Sequence, residues 1–191
     1  EDSLIVFQKG LTATTVTLND NAGDASISFS AENAAGAVAG TIDGAASGEG
    51  TVNVYDADAG APHLITFSGV IGGTQRLKAI NIGTAALAGA ADFDENVTVA
   101  TLTLLGGNVT AEDTALTNAA AKTIDATTVN VTGGVGAGVA GAPAGDALAT
   151  ISGTLTVGTG GLNITGGEGA ATDAGGAAKV ITSALAIDNA V

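Results

Sequence analysis

Aliphatic residues alternate one for one with Thr, Ser or Asn in run after run of this chain. The runs are TVNV (51–54), HLITFSG (63–69), KAINIG (78–83), TVATLTL (98–104), TTVNVTG (127–133), TISGTLTVG (150–158) and LNITG (162–166). A period of two places every second side chain on the same side of an extended backbone. Each run therefore reads as a β-strand with one buried face. The abundance of Thr, Val and Ile adds a β-branched preference for a pleated surface. Between the runs lie Gly-, Ala-, Asp- and Asn-rich segments such as 33–50 and 166–178, which carry turn and loop chemistry. Helix formers cluster only in AEDTALTNAAAK (111–122), where one short helical turn is the minority expectation.

The strands recur as similar pairs. Ile80/Ile82, Leu102/Leu104, Val129/Val131, Leu155/Val157 and Leu185/Ile187 follow one another at intervals of 22 to 30 residues. An imperfect period of this size marks a solenoid, a propeller or an array. Coils stacked about 4.8 Å apart would make a rod of about seven coils, roughly 30–35 Å long.

Composition favours the solenoid. Aromatics are 3% of the 191 residues; Trp, Met and Cys are absent, and Tyr55 is the sole tyrosine. A ball-shaped core draws much of its buried area from large aromatics. This interior must be thin and filled by Val, Ile, Leu and Ala. The expected fold class is all-β: a parallel β-solenoid (β-helix-like) with Gly/Ala-rich loops. The alternative is two antiparallel β-sandwich domains. That fold calls for hairpin turns such as Asn-Gly, of which the chain has none, and commonly for a core Trp.

Charge narrows the partners. Nineteen acidic against five basic residues give a net charge of −14. Nucleic acid requires a basic footprint, so no nucleic-acid partner is expected, and an anionic membrane surface would repel the chain. The longest uncharged apolar stretch, GGVGAGVAGAPAG (133–145), is too short and too rich in Gly and Pro to cross a bilayer as a helix. No membrane insertion is expected. Freedom from cysteine suits an exported protein. No basic segment followed by an apolar one opens the chain, so Glu1 is expected to be a processed terminus.

The segment ITFSGVIGGTQRLKAINIGTAALAG (65–89), continued by TLTLLGGNVTAE (101–112), resembles the β-strand repeats of large bacterial surface proteins. These are autotransporter passengers, filamentous-haemagglutinin-type adhesins and some surface-layer proteins. In such repeats an F-x-G-x-I-G-G corner precedes an L-x-x-I-x-I strand and a Gly-Thr turn. Phe67, Gly69, Ile71, Gly72, Gly73, Leu77, Ile80 and Ile82 match that pattern. The resemblance implies an extracellular β-solenoid with adhesive or structural roles and brings no catalytic residues. Residues 1–50 depart from the pattern. They are set apart as a candidate separate N-terminal module, with 51–191 as the solenoid repeat region.

The motifs that carry chemistry are few. GVIGGT (69–74) suggests a phosphate loop, but such a loop leads into a helix, and QRLKAINIG reads as another strand. The glycines are expected to turn a corner, where positive φ is needed. Carboxylates at Asp92, Asp94 and Glu95 and at Glu112 and Asp113 lie in loops without Arg, Tyr or Trp to grip a sugar, so solvated loop charge is the expectation. His63 stands alone, without a nucleophile motif. Two acidic loops are candidates for calcium (Ca2+), which takes six to eight oxygen ligands. One is YDADAGA, with Asp56, Asp58 and Gly60; the other is NDNAGD, with Asp20 and Asp24 beside Gly23. Neither completes a calcium-loop consensus, and plain acidic turns are the favoured reading. Four N-x-T sequons, at Asn96, Asn108, Asn130 and Asn163, each enclose a Val or Ile, as a half-buried strand produces by itself. T-x-T pairs at 15–17, 101–103 and 154–156 raise an ice-binding reading but do not recur on every coil.

The function expected is non-enzymatic: an extracellular, cell-surface structural protein forming part of a surface layer, filament or adhesin stalk. Its partners would be further copies of itself, or further repeats of the same chain. The alternative is a glycan- or ice-binding module presented on the solenoid.

Overall fold

The computed structural model describes residues 2–21, 23–32, 34–58, 61–107, 112–135, 144–169 and 174–187. In chain order the strands are β1 (Ser3–Phe7), β2 (Leu11–Leu18), β3 (Ala25–Phe29), β4 (Gly36–Gly44), β5 (Glu49–Val54), β6 (Leu64–Phe67), β7 (Leu77–Ile82), β8 (Ala90–Phe93), β9 (Val97–Leu105), β10 (Thr114–Asn118), β11 (Thr123–Thr132), β12 (Ala147–Thr165) and β13 (Ala178–Ile187). Every pairing between them is parallel. Odd-numbered strands run down one side as far as β11, and even-numbered strands run down the other as far as β10. The long β12 joins the two sides. Its first part pairs with β10 and its second part with β11. The protein is a β-solenoid of about six turns, against the seven or so coils expected from the sequence. All-parallel pairing excludes the antiparallel sandwiches.

Register makes the core. In a parallel ladder with no slippage, a residue facing inward stacks on the equivalent residue of the next coil. One such column runs the length of the rod: Val16, Ile42, Ile71, Val97, Ile124, Leu155 and Leu185. A second runs Ile5, Ile27, Val52, Ile80, Leu102, Val129 and Leu162, and a third Phe7, Phe29, Val54, Ile82, Leu104, Val131 and Ile164. Ile80, Ile82, Leu102, Leu104, Val129 and Val131 are each at most 1% exposed, as period two demanded.

One sequence expectation is corrected. Leu155 and Val157 do not stack on Val129 and Val131. They lie in register with Ile124 and Ala126, and the partners of Val129 and Val131 are Leu162 and Ile164. β9, β11 and β12 each carry two inward pairs: Leu155 and Val157 continue the first, after Val97/Val99 and Ile124/Ala126, and Leu162 and Ile164 continue the second beyond the register shift between Ala126 and Thr128. The helical turn that was the minority expectation in 111–122 does not form in its described part, 112–122. Thr114–Asn118 is β10, because pairing with both β8 and β12 outweighs local helix preference. The ladder also includes the strands of the first 50 residues: β1 pairs with β3, β3 with β5, and β2 with β4.

The N-terminal half has a feature of its own. All four phenylalanines form one chain of rings: Phe7 stacks on Phe29 at 5.8 Å, Phe29 meets Phe67 edge-on at 5.4 Å, and Phe67 leans on Phe93 at 5.2 Å. Spacings in this range are favourable for aromatic pairs. The next position in the Phe67–Phe93 register is the buried Asn118. Its amide donates to the Lys122 carbonyl and accepts from Gly153 N–H, so it is satisfied at the coil corner.

The glycine run that opened the phosphate question does turn a corner. Gly72 has φ +67°, its N–H donates to the Ile42 carbonyl, and a Cβ there would lie 2.0 Å from the Thr98 carbonyl oxygen. Gly69 is needed for closeness, since a Cβ would lie 1.9 Å from the Gly40 carbonyl oxygen. Arg76 does not reach toward an anion at this corner. Its guanidinium pairs with Asp125 at 3.1 Å and with the Thr127 hydroxyl, stapling coils together.

Truncating Leu104 to Ala is expected to cost about 2–5 kcal/mol, and Phe67 to Ala about 3–5 kcal/mol. Urea unfolding is the measurement. A Leu104→Ala protein that unfolds with wild-type midpoint and slope would mean that the register is wrong.

Candidate functional site

The loop leaving β5 carries the densest polar chemistry in the described residues. Asp56 continues the inward alternation of Val52 and Val54 along the chain, so it points away from water and is 1% exposed. Its Oδ1 accepts from Asp58 N–H at 2.9 Å. Its Oδ2 accepts from His63 N–H at 2.6 Å and lies 2.8 Å from His63 Nδ1. Asp56 N–H donates to the Ala88 carbonyl of the next coil at 2.8 Å, so the loop is pinned at its base. Asp56, Asp58 and His63 each offer a ligand atom, and these atoms all lie within 4.8 Å of one another. Gly60 lies outside the described residues.

The sequence singled out Asp56 and Asp58 but set His63 aside as a lone surface residue. Seven positions separate His63 from Asp56, and only the closing of the loop brings them together. The available signal was the pairing of a D-x-D segment with a Pro-His at the start of the following strand.

The other calcium candidates have other work. Asp20 caps two chain segments: Oδ1 accepts from Ala25 N–H at 2.7 Å and Oδ2 from Gly50 N–H at 3.1 Å, which ties the first coil to the second. Asp24 pairs with Lys78, and that carboxylate raises the lysine's pKa above its ordinary value. Asp20 and Asp24 thus belong to a separate loop from Asp56 and Asp58.

The carboxylates expected in loops are likewise engaged along the rod, and Asp92 lies not in a loop but in β8, in register with Thr66 and Thr117. Asp92 accepts from the Thr117 hydroxyl at 2.7 Å, Glu95 pairs with Lys122 at 2.6 Å, and Asp113 accepts from Asp146 N–H at 2.8 Å. Each of these bonds links one coil to another.

The sequons show why they arise. Asn130 and Asn163 stack in register on the outer face, with the Asn163 amide donating to Asn130 Oδ1 at 2.9 Å. Asn81, Asn53 and Ser28 form a similar chain higher on that face, at 2.9 and 3.2 Å. Asn96 Oδ1 accepts from Thr123 N–H at 2.9 Å. Asn108 lies outside the described residues, as do positions 136–143 of the uncharged stretch. The T-x-T pairs do not build one array. Thr17 is followed in register by Asp43, and Thr156 is preceded by Asp125.

No protein-family model matches this chain, and no curated protein or solved structure matches it.

Replacing Asp20 by Ala strips two buried or half-buried N–H groups of their acceptor. A loss of about 1–3 kcal/mol is expected from denaturant unfolding. Asp20→Asn, which keeps one acceptor, should lose less. Equal stability of Asp20→Ala and wild type would mean that the carboxylate does not tie the coils.

Proposed function

We propose that this chain is a structural element of a cell-surface assembly, a length of rod that extends by end-on stacking of coils within a surface layer, filament or adhesin stalk. The observation that carries this reading is that the interior columns stand open at both ends among the described residues. Ile5 is 60% exposed, yet the residues in register below it (Ile27, Val52, Ile80, Leu102 and Val129) are at most 3% exposed. At the other end Leu185 is 47% and Ile187 55% exposed, while Leu155 and Val157, on which they sit, are at most 1% exposed. These are core positions that lack their next coil. Unpaired backbone groups of an edge strand accept a further strand, and a head-to-tail contact of this kind repeats until something closes it. The covering coil belongs to another copy or to further repeats of the same chain.

The rest of the molecule suits a load-bearing rod. Ladder hydrogen bonds run along its axis, and side-chain links such as Arg76–Asp125 and Lys122–Glu95 fasten coils together. The acidic exterior keeps separate rods apart. The absence of cysteine and the resemblance to bacterial surface repeats support an extracellular location.

A second reading rests on one groove. An uncharged hollow of about 460 Å³ lies on the outer face, lined by Ser28, Asn53, Tyr55, Asn81, Thr84 and Leu105 among others. Hydroxyls and amides beside a tyrosine suit a neutral glycan chain. Loss of oligosaccharide binding on Tyr55→Ala would support it.

Sedimentation velocity tests the main reading. Species larger than monomer should appear as concentration rises. Added salt should increase them, because screening weakens repulsion between chains of charge −14. Ile5→Lys combined with Leu185→Lys should return the protein to monomer. A wild-type chain that stays monomeric at every concentration and salt level would contradict stacking between copies.

A further inference from the structure

Asp56 is a carboxylate taken out of water without a permanent positive charge to meet it. Two backbone N–H groups and one imidazole are its bonded partners, and a neutral imidazole carries no charge. Three of the five basic residues are committed elsewhere: Arg76 to Asp125, Lys78 to Asp24 and Lys122 to Glu95. Buried charge is normally paired with an opposite charge or bound to a metal. Beside Asp56 stands a second carboxylate, Asp58, so the loop gathers negative charge around its one nitrogen donor.

We propose that Asp56, Asp58 and His63 bind a divalent transition-metal ion of the zinc class. The donor set decides the ion. Calcium and magnesium take oxygen ligands, whereas imidazole together with carboxylates suits zinc and its neighbours. The spread of the three ligand atoms, within 4.8 Å, fits a single ion. Zinc–nitrogen and zinc–oxygen bonds of about 2.0–2.2 Å need only a modest contraction around it. Asp56 is held rigidly by the coil beneath, and the half-buried Asp58 and His63 leave room for water as a fourth ligand.

The ion would tie Asp56 and Asp58, which follow β5, to His63, which precedes β6. It would also set a permanent positive charge against the buried Asp56. Calcium, the ion suggested by the acidic pattern alone, is disfavoured here by the histidine. The site stands independently of end-on stacking, since it lies within one coil.

The test uses the full chain without a histidine tag, stripped with chelator and titrated with zinc chloride by calorimetry. Thermal unfolding is followed in parallel. One zinc ion per chain, a rise of several degrees in Tm and no comparable effect of calcium chloride are expected. His63→Ala and Asp58→Asn should each weaken binding at least tenfold, while Asp113→Asn should leave it unchanged. His63→Gln, which keeps a polar side chain for Asp56, covers the case in which His63→Ala does not fold. No saturable zinc binding, zinc binding that survives loss of His63, or calcium binding of equal strength would overturn the proposal.

Discussion

The in-register parallel hydrogen-bond ladder is the constraint from which the rest of this structure follows. Once each coil sits directly over the last, an inward side chain can touch only its equivalents above and below and the narrow interior between. A column such as Ile80, Leu102 and Val129 is then built of aliphatic side chains alone, while the aromatic rings of Phe29, Phe67 and Phe93 gather where they can pack on one another. Each buried aliphatic side chain contributes about 1.5–3 kcal/mol relative to exposure. The same ladder stacks outward residues as well, which is why amides meet amides at Asn53 and Asn81 and again at Asn130 and Asn163. Where the backbone turns between runs, coils approach so closely that Gly69 and Gly72 cannot carry a side chain.

Much of this was legible in the sequence because period two is a local property. Alternation over 78–83 and 98–104 named the buried positions, and their recurrence named the solenoid. What escaped was the pairing of distant segments. The regular spacing suggested stacking Leu155 on Val129, yet a single long strand places Leu162 there instead. The phenylalanines, at positions 7, 29, 67 and 93, stand far apart in the sequence. Phe29 and Phe67 come from opposite sides of the coil, and only the folded interior brings their rings to 5.4 Å.

The candidate site was half legible. D-x-D at Asp56 and Asp58 advertised oxygen ligands, but the loop's closure onto His63 depends on where β6 starts, which no local pattern fixes. The two proposals address different scales of one object: the open ends bear on how a rod would grow, and the loop on how one coil would be fastened within it. Of the acids that sequence reading weighed for the paired carboxylates of a hydrolase, Asp92, Glu95 and Asp113 are bonded from coil to coil along the rod.

Register is the central claim, and a disulfide reports it directly, because the chain has no cysteine of its own. Asn130 and Asn163 are register partners on the outer face, and adjacent strands lie about 4.8 Å apart, within reach of a disulfide. Simple repeat spacing would instead pair Asn130 with Thr156. Two double variants, Asn130→Cys with Asn163→Cys and Asn130→Cys with Thr156→Cys, should be oxidised gently and analysed by mass and non-reducing electrophoresis. The first is expected to close an intramolecular disulfide and the second to keep two free thiols. Closure of the second with the first left open would contradict the account.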